Sequence, residues 1–512
     1  MSAFRLMPES FGIEAAQKAL ASGKPALVWR KQVADTDTPV SAALKLMEAE
    51  RGDFLLESVE GGETRGRHSL IGLAPDLVFR ADGEKAEINP HWLTDREAFE
   101  PEAANSLDAL RTLVTRCQMD VPEGLPRALA CLVGYFGYET IGLVEKLPRA
   151  AQSELDLPDM LFVRPTIIVI FDRLADEMFL VAPVWPETSG DADSKIARAE
   201  ERLDEVERQI AAPVPTANVE QDIGSPDDLA FQPKLAPDQY ENMVLSAKDY
   251  IQSGDIFQVV LAQRFTAPFA LPPVELYRAL RRINPSPFLF FLDLPGFALI
   301  GSSPEILVRA RDGEVTIRPI AGTRPRGANA AEDKANRTSL LADPKERAEH
   351  LMLLDLGRND VGRVSAANSV EVTDSYTVEF YSHVMHIVSN VVGQLAPDKD
   401  ALDALFAGFP AGTVSGAPKV RACEIIAELE PETRGAYAGG VGYFSPDGSM
   451  DSCIVLRTGI VKDGMLHVQA GAGIVADSDP AYEQRECEAK SGALLAAAKE
   501  AVRRAQDIGF GQ

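Results

Sequence analysis

The chain has 512 residues, 46% hydrophobic and 25% charged, the make-up of a folded protein with a large core. Its formal net charge of −26 excludes a nucleic-acid backbone or an anionic membrane surface as partner, since both need clustered Lys and Arg. Any anionic substrate must therefore be met by a local positive site.

No run approaches the roughly 18 apolar residues of a membrane span, and Met1–Ser10 lacks the apolar region of a signal peptide. The five cysteines are scattered with no C-x-x-C pair, which suits a reducing, cytoplasmic compartment.

In chain order, Asp-Gly turns at Asp82-Gly83, Asp312-Gly313, Asp447-Gly448 and Asp463-Gly464 each separate runs of strand character. Glu305–Ala310 returning as Val315–Ile320 is one such hairpin, and Tyr437–Val475 is almost continuous strand–turn–strand. Val133-Gly-Tyr-Phe136 is echoed by Val441-Gly-Tyr-Phe444, too short a match for an internal repeat. Asp191–Ile210 predicts an exposed, charged helix, and Ala211–Asp238, rich in Pro, Ala and Asp, predicts a linker. The expected division is 1–210, a linker over 211–238, and 239–512. The class is α+β, with large antiparallel β-sheets flanked by helices.

Two helix starts are well marked. Asp343-Pro344 predicts a helix to about Gly357, with Asp as N-cap and Pro at the first position. Ser478-Asp479-Pro480 predicts another, from Ala481 to about Ala505. Each carries Glu-x-x-Glu, namely Glu346/Glu349 and Glu483/Glu486, so both carboxylates of a pair share a face. Two readings stay open. Opposed faces would make a four-carboxylate nest for a hard cation such as Mg²⁺. Equally, Glu346 fits a capping box and Glu486 pairs with Lys490 at i+4.

Ser415–Lys419 predicts the opening of a helix running to about Leu429, whose free N–H groups could bind an anion. Gly471-Ala472-Gly473 lacks the context of a dinucleotide fingerprint, but lets backbone approach a ligand closely. His383 and His386 sit at a predicted strand-to-helix passage. No zinc spacing, G-x-S-x-G or P-loop occurs.

As strings, Gln239–Ala501 resembles the chorismate-utilising enzymes. The matching blocks are Gly254–Arg264, Gly301–Glu305, Arg318–Arg324, Glu346–Asp360, Tyr381–His386, Gly412–Lys419, and Glu483-x-x-Glu486-x-x-x-Lys490. The resemblance implies two large antiparallel sheets packed face to face. Leu55–Ser58, Arg67–Ser69 and Val133–Tyr138 resemble the amino-terminal part of anthranilate synthase large subunits. Aminodeoxychorismate synthases typically carry Lys where Ala321 stands, and isochorismate and salicylate synthases typically carry Lys where Gln258 stands. Both positions favour anthranilate synthase over those sister activities, and intact Glu346, Glu349, His386, Arg457, Glu483, Glu486 and Lys490 speak against a non-catalytic tryptophan-sensing subunit.

The resemblance implies conversion of chorismate and ammonia to anthranilate and pyruvate, the first committed step of tryptophan biosynthesis. It implies that Glu349 and Glu486 hold Mg²⁺, with Glu346 and Glu483 beside it. Arg457, Tyr437, Lys490 and the Gly471–Ala472–Gly473 backbone would receive substrate carboxylate. Thr413, Gly416 and Ala417 would fix the ring end, beside Ala321, Gly322 and Thr323. His386 and Glu305 are the proton-transfer candidates. No cysteine sits in a Gly-x-Cys-x-Gly setting, so ammonia implies a separate glutamine amidotransferase small subunit in a heterodimer or heterotetramer. A regulatory tryptophan pocket is implied at Leu56, Glu57, Ser58, Asn284, Pro285, Ser286 and Phe288, with Cys453 adjacent.

Overall fold

A computed structural model describes residues 9–60, 64–215, 224–381 and 384–508. Alternating apolar positions and tight hairpin turns build two antiparallel sheets, of twelve strands each among the described residues. At Asp312-Gly313 and Asp463-Gly464 both residues have positive φ, which matches the twist of the strands they join.

Each sheet is shared by residues from before and after the predicted linker. In the first, the seam pairs Asp53–Glu60 with Phe288–Leu294, Ser58 standing opposite Phe288. In the second, it pairs Leu132–Phe136 with Gly440–Phe444. The two Val-Gly-Tyr-Phe echoes are therefore neighbours, with Gly134 opposite Gly442.

The sheets pack face to face through one apolar layer, including Phe54, Phe290 and Leu292 from one and Val133, Val163 and Val441 from the other. Helices cover the outer faces. Ile13–Ala21, Pro39–Leu46, Ala192–Ile210 and Pro273–Ile283 cover the first sheet. Ser106–Arg116 and Ala401–Gly408 cover the second, while Lys419–Leu429 packs against Gln258–Pro268 of the first. No helix is long and apolar enough to cross a membrane among the described residues.

Several elements differ from the sequence expectation. The helix Ala192–Ile210 is not exposed all round, because Ile196, Ala199, Leu203, Val206 and Ile210 form a buried stripe at helical spacing. Within 211–238, Gln232–Pro233 adds a short strand, and 216–223 lie outside the described residues. The helix Pro344–Gly362 runs past Gly357, whose missing Cβ lets it lie against Pro319. Ser415–Ala417 do not open a helix. Gly416–Ala417 form a strand paired with Gln258–Val259, and the helix begins only at Lys419, after extended Pro418. His386 lies in the strand Val384–Gln394, between strands rather than before a helix, and His383 falls outside the described residues.

Candidate active site

The two Glu-x-x-Glu helices start as their capping residues dictate. Asp343 accepts from the N–H groups of Lys345 and Glu346, and Asp479 accepts from that of Tyr482. Both helices, Pro344–Gly362 and Pro480–Ile508, open onto a cavity of about 1650 Å³. Glu305, Ala321, Gly322, Thr323, Glu346, Glu349, His386, Thr413, Tyr437, Arg457, Gly471, Gly473, Glu483, Glu486 and Lys490 all line it. Asn284, Pro285 and Ser286 reach the same cavity.

Three predicted contact residues do not line it. Alternation along the strand Met465–Ile474 turns Ala472 away from Gly471 and Gly473 and buries it. Gly416 and Ala417 are engaged in pairing with Gln258 and Val259. A Cβ at Gly473 would stand 2.5 Å from Gln258 Nε2, so a larger residue there would displace that amide.

The carboxylates do not close into a cage on their own. Arg324 donates to Glu346 at 2.9 Å and to Asp343 at 2.7 Å, while Lys490 pairs with Glu486 at 2.7 Å. No three His, Cys, Asp or Glu side chains converge to hold an ion among the described residues. Burial, and then the charge of Glu346, hold the Glu349 carboxyl above its ordinary range, with Glu486 adding to the effect against Lys345 and Lys490. Burial raises Glu483 likewise, against a hydrogen bond from Ser478. Hard oxygen donors and like-charge crowding make this a place a divalent cation would relieve.

Opposite in sign is Arg457, in a left-handed backbone conformation with φ 49°. Burial lowers its pKa, and its guanidinium has no hydrogen-bonded or ion-paired partner among the described residues. An arginine stays charged under such burial, so its five donors await an acceptor. Tyr437 lies close enough to act on it electrostatically, and Lys490 Nζ donates to the Gly471 carbonyl at 2.9 Å.

Two proton carriers complete the wall. Glu305 is pushed up to about 8 by burial, opposed only by the Thr413 hydroxyl, which lies 3.1 and 3.2 Å from its two oxygens. It is therefore a neutral acid at pH 7. His386 is held below its ordinary value by burial, against the Gly322 carbonyl. Its Nδ1 lies 3.0 Å from that carbonyl, which assigns the proton to Nδ1 and leaves Nε2 as an acceptor. Gly322, at φ +69°, sits at the irregular register where Thr323 pairs with His386.

The implied tryptophan residues are only partly gathered. Leu56, Glu57 and Ser58 face Phe290, Leu289 and Phe288 across the seam, and Cys453 is buried in the other sheet. Glu57 is already saturated. Tyr277 donates at 2.6 Å, Arg281 at 2.9 and 3.1 Å, Arg173 by a short contact, and Ser69 at 3.4 Å. Five donors on a carboxylate with about four acceptor positions leave none for a ligand's ammonium.

Sequence reading did not find Arg324, Tyr381 or the cavity-lining aromatics Phe257 and Tyr482. Arg324, Tyr381 and Phe257 lie within matched blocks, so position inside those strings was the available signal. Nothing in composition marks Tyr482.

Residues 52–496 match the family of chorismate binding enzymes. Anthranilate synthase component 1 of Cereibacter sphaeroides is 49% identical over 499 residues, covering 97% of this chain and 99% of the relative. That of Pseudomonas aeruginosa is 46% identical, covering 91% and 94%. The chain belongs to the chorismate-binding enzymes, with the anthranilate synthase component 1 proteins. In the solved structures, component I of anthranilate synthase from Streptococcus pneumoniae superposes with a TM-score of 0.73 at 36% identity, covering 84% and 92%. The menaquinone-specific isochorismate synthase of Escherichia coli shares the fold, with a TM-score of 0.68 at 19% identity. Two face-to-face sheets with flanking helices are thus the chorismate-utilising architecture.

Proposed function

We propose that this enzyme converts chorismate and ammonia to anthranilate and pyruvate. The observation that carries the reading is Arg457, a half-buried cation with no protein partner among the described residues, set in one cavity with a neutral acid and a neutral imidazole. In a chain of net charge −26, that is where a dianionic substrate finds its counter-charge.

Arg457, Tyr437 and the backbone at Gly471 and Gly473 receive the enolpyruvyl carboxylate, with Lys490 adding positive charge. Glu349 and Glu486 would hold Mg²⁺, which supplies charge stabilisation for the ring carboxylate as ammonia adds at C2. Glu305, protonated below about pH 8, gives its proton to the hydroxyl leaving C4. His386, neutral with Nε2 free, takes the proton released when pyruvate is eliminated. Thr413 holds Glu305 in place.

Ala321 offers no amine to compete with ammonia, and Gln258 is no base for water, so neither sister chemistry is equipped. All five cysteines are buried and free, so none is exposed to serve as a glutaminase nucleophile. Ammonia comes from glutamine through a separate amidotransferase subunit, and free ammonium substitutes for it.

Feedback by tryptophan belongs to the same reading. With Glu57 occupied, the ligand is met by Ser58, Phe288 and the carbonyls of Asn284–Ser286. Ser302 offers a route to the catalytic cavity: its hydroxyl donates to the Asn284 carbonyl and its N–H to the Arg457 carbonyl at 3.2 Å. Coupling of this kind is typically about 1–3 kcal/mol.

The test is fluorescence of anthranilate on mixing the purified chain with chorismate, Mg²⁺ and ammonium. Product growth that needs all three supports the reading, and a silent mixture with folded protein refutes it.

A further inference from the structure

We infer that Arg434 is a positioning residue, which fixes the Thr413–Glu305 pair and Tyr437 at the inner wall of the cavity through carbonyls it holds from behind. Arg434 is 2% exposed, and its fork is almost fully used. Nε and Nη2 donate to the two Glu430 oxygens at 2.9 and 2.5 Å. Nη1 donates to the Val414 carbonyl and Nη2 to the Val260 carbonyl, each at 2.7 Å. The guanidinium also lies over the rings of Tyr138 at 4.6 Å and Tyr437 at 5.6 Å.

Three of these groups, Val260, Val414 and Tyr437, line the catalytic cavity, whereas Arg434 itself does not. Val414 adjoins Thr413, whose hydroxyl is the one side-chain group bonded to the Glu305 carboxyl among the described residues. Glu430 in turn accepts from the Ala262 N–H at 2.9 Å, so one ion pair joins the strand Gln258–Pro268, the Gly412–Val414 turn and the end of the helix Lys419–Leu429. A buried ion pair gains little net stability over well-packed apolar side chains. Its directional hold on two wall carbonyls is what an apolar replacement could not supply. Behind Arg434 lies a second cavity of about 200 Å³, lined also by Tyr138, Glu139 and Cys423.

The inference rests on the anthranilate-forming reading, and wild-type turnover is its reference: an inactive wild type defeats that reading rather than this one. Given active wild type, Arg434→Lys keeps the charge but cannot span two carbonyls and a carboxylate. Its kcat should fall about a hundredfold, the loss typical of a small displacement of a reacting group, with a smaller rise in KM from the loosened Tyr437. Its high-pH limb should move upward, as in Thr413→Val, because the hydroxyl that lowers the Glu305 pKa is loosened. Tyr381, the other titratable group that senses Glu305, is untouched by either change. Arg434→Ala opens space beside the second cavity, and dilute guanidinium should restore part of its kcat while doing nothing for the lysine variant. If Arg434 variants do not fold, Glu430→Gln, which loosens the same fork, should show the same limb shift with a smaller loss. Lower thermal stability combined with wild-type kcat and pH profile in folded variants would overturn the inference.

Discussion

Two charges withdrawn from solvent, one half-buried and one buried, are treated in opposite ways. Arg457 faces the cavity with no protein acceptor, while Glu57, at the seam between the halves, is surrounded by Arg173, Arg281, Tyr277 and Ser69. A buried charge left open is costly unless something else completes it, and a saturated one has no capacity left. The first marks a ligand site. The second is internal structure, even though both lie in segments that resemble ligand-binding strings.

The comparison breaks hardest at the carboxylates near Arg457. Glu349→Gln or Glu486→Gln should remove activity by at least about a thousandfold, the order of several kcal/mol of lost charge stabilisation, with an unchanged far-ultraviolet spectrum. Near-normal turnover of both variants at low Mg²⁺ would contradict the cation role.

Next in size is Arg457→Met. Losing one partner of a buried charged contact should weaken chorismate use by about 2–5 kcal/mol in kcat/KM. Because Arg457 has no partner to strand, the melting temperature should hold or rise. A large fall in melting temperature with intact kcat/KM would show that its charge is structural after all.

Glu57→Gln should do the reverse. Stranding Arg173 and Arg281 should cost about 3–5 kcal/mol of stability, read by denaturant unfolding, with little change in uninhibited rate. The sign with pH follows from the same pairing. Burial raises the Glu57 carboxyl, but Arg281, Tyr277 and Arg173 outweigh it and the net shift is downward. Its contribution is therefore present above the ordinary glutamate range and lost as pH falls through the lowered value. Unfolding curves identical for wild type and variant across that acid range would count against it.

The proton carriers set a milder dependence. Activity should fall as pH rises through about 8, where Glu305 loses its acid proton, and fall again below the ordinary histidine range, where His386 becomes charged. Thr413→Val should raise the upper limb. A wild-type profile flat through that upper region would remove Glu305 from the acid role.

The smallest effect is expected at Ser58. Ser58→Ala should raise the tryptophan concentration for half-inhibition several-fold, within the usual 1–3 kcal/mol or so of coupling. Full wild-type activity across millimolar tryptophan would end the regulatory claim and leave the catalytic one standing.

What the sequence made legible was local chemistry. Asp343-Pro344 and Ser478-Asp479-Pro480 announce their helices because capping is settled within three residues, and Asp312-Gly313 and Asp463-Gly464 announce hairpins because both positions must take positive φ. The catalytic cavity could be named from matched strings. Partnership could not. Arg324 takes Glu346 from 22 positions away, and Arg281 takes Glu57 from 224, contacts that only the completed sheets create. The same limit hid the seams, where Leu132–Phe136 meets Gly440–Phe444. Alternation did contain the exclusion of Ala472 between Gly471 and Gly473, and a stricter use of the two-residue period would have found it.

The most direct test is product analysis by mass spectrometry after incubation of the wild-type chain with chorismate, Mg²⁺ and isotopically labelled ammonium. The account expects the label in anthranilate, with an equal amount of pyruvate, and loss of both in Arg457→Met. Predominant 4-amino-4-deoxychorismate, isochorismate or salicylate, or unlabelled product, would contradict it.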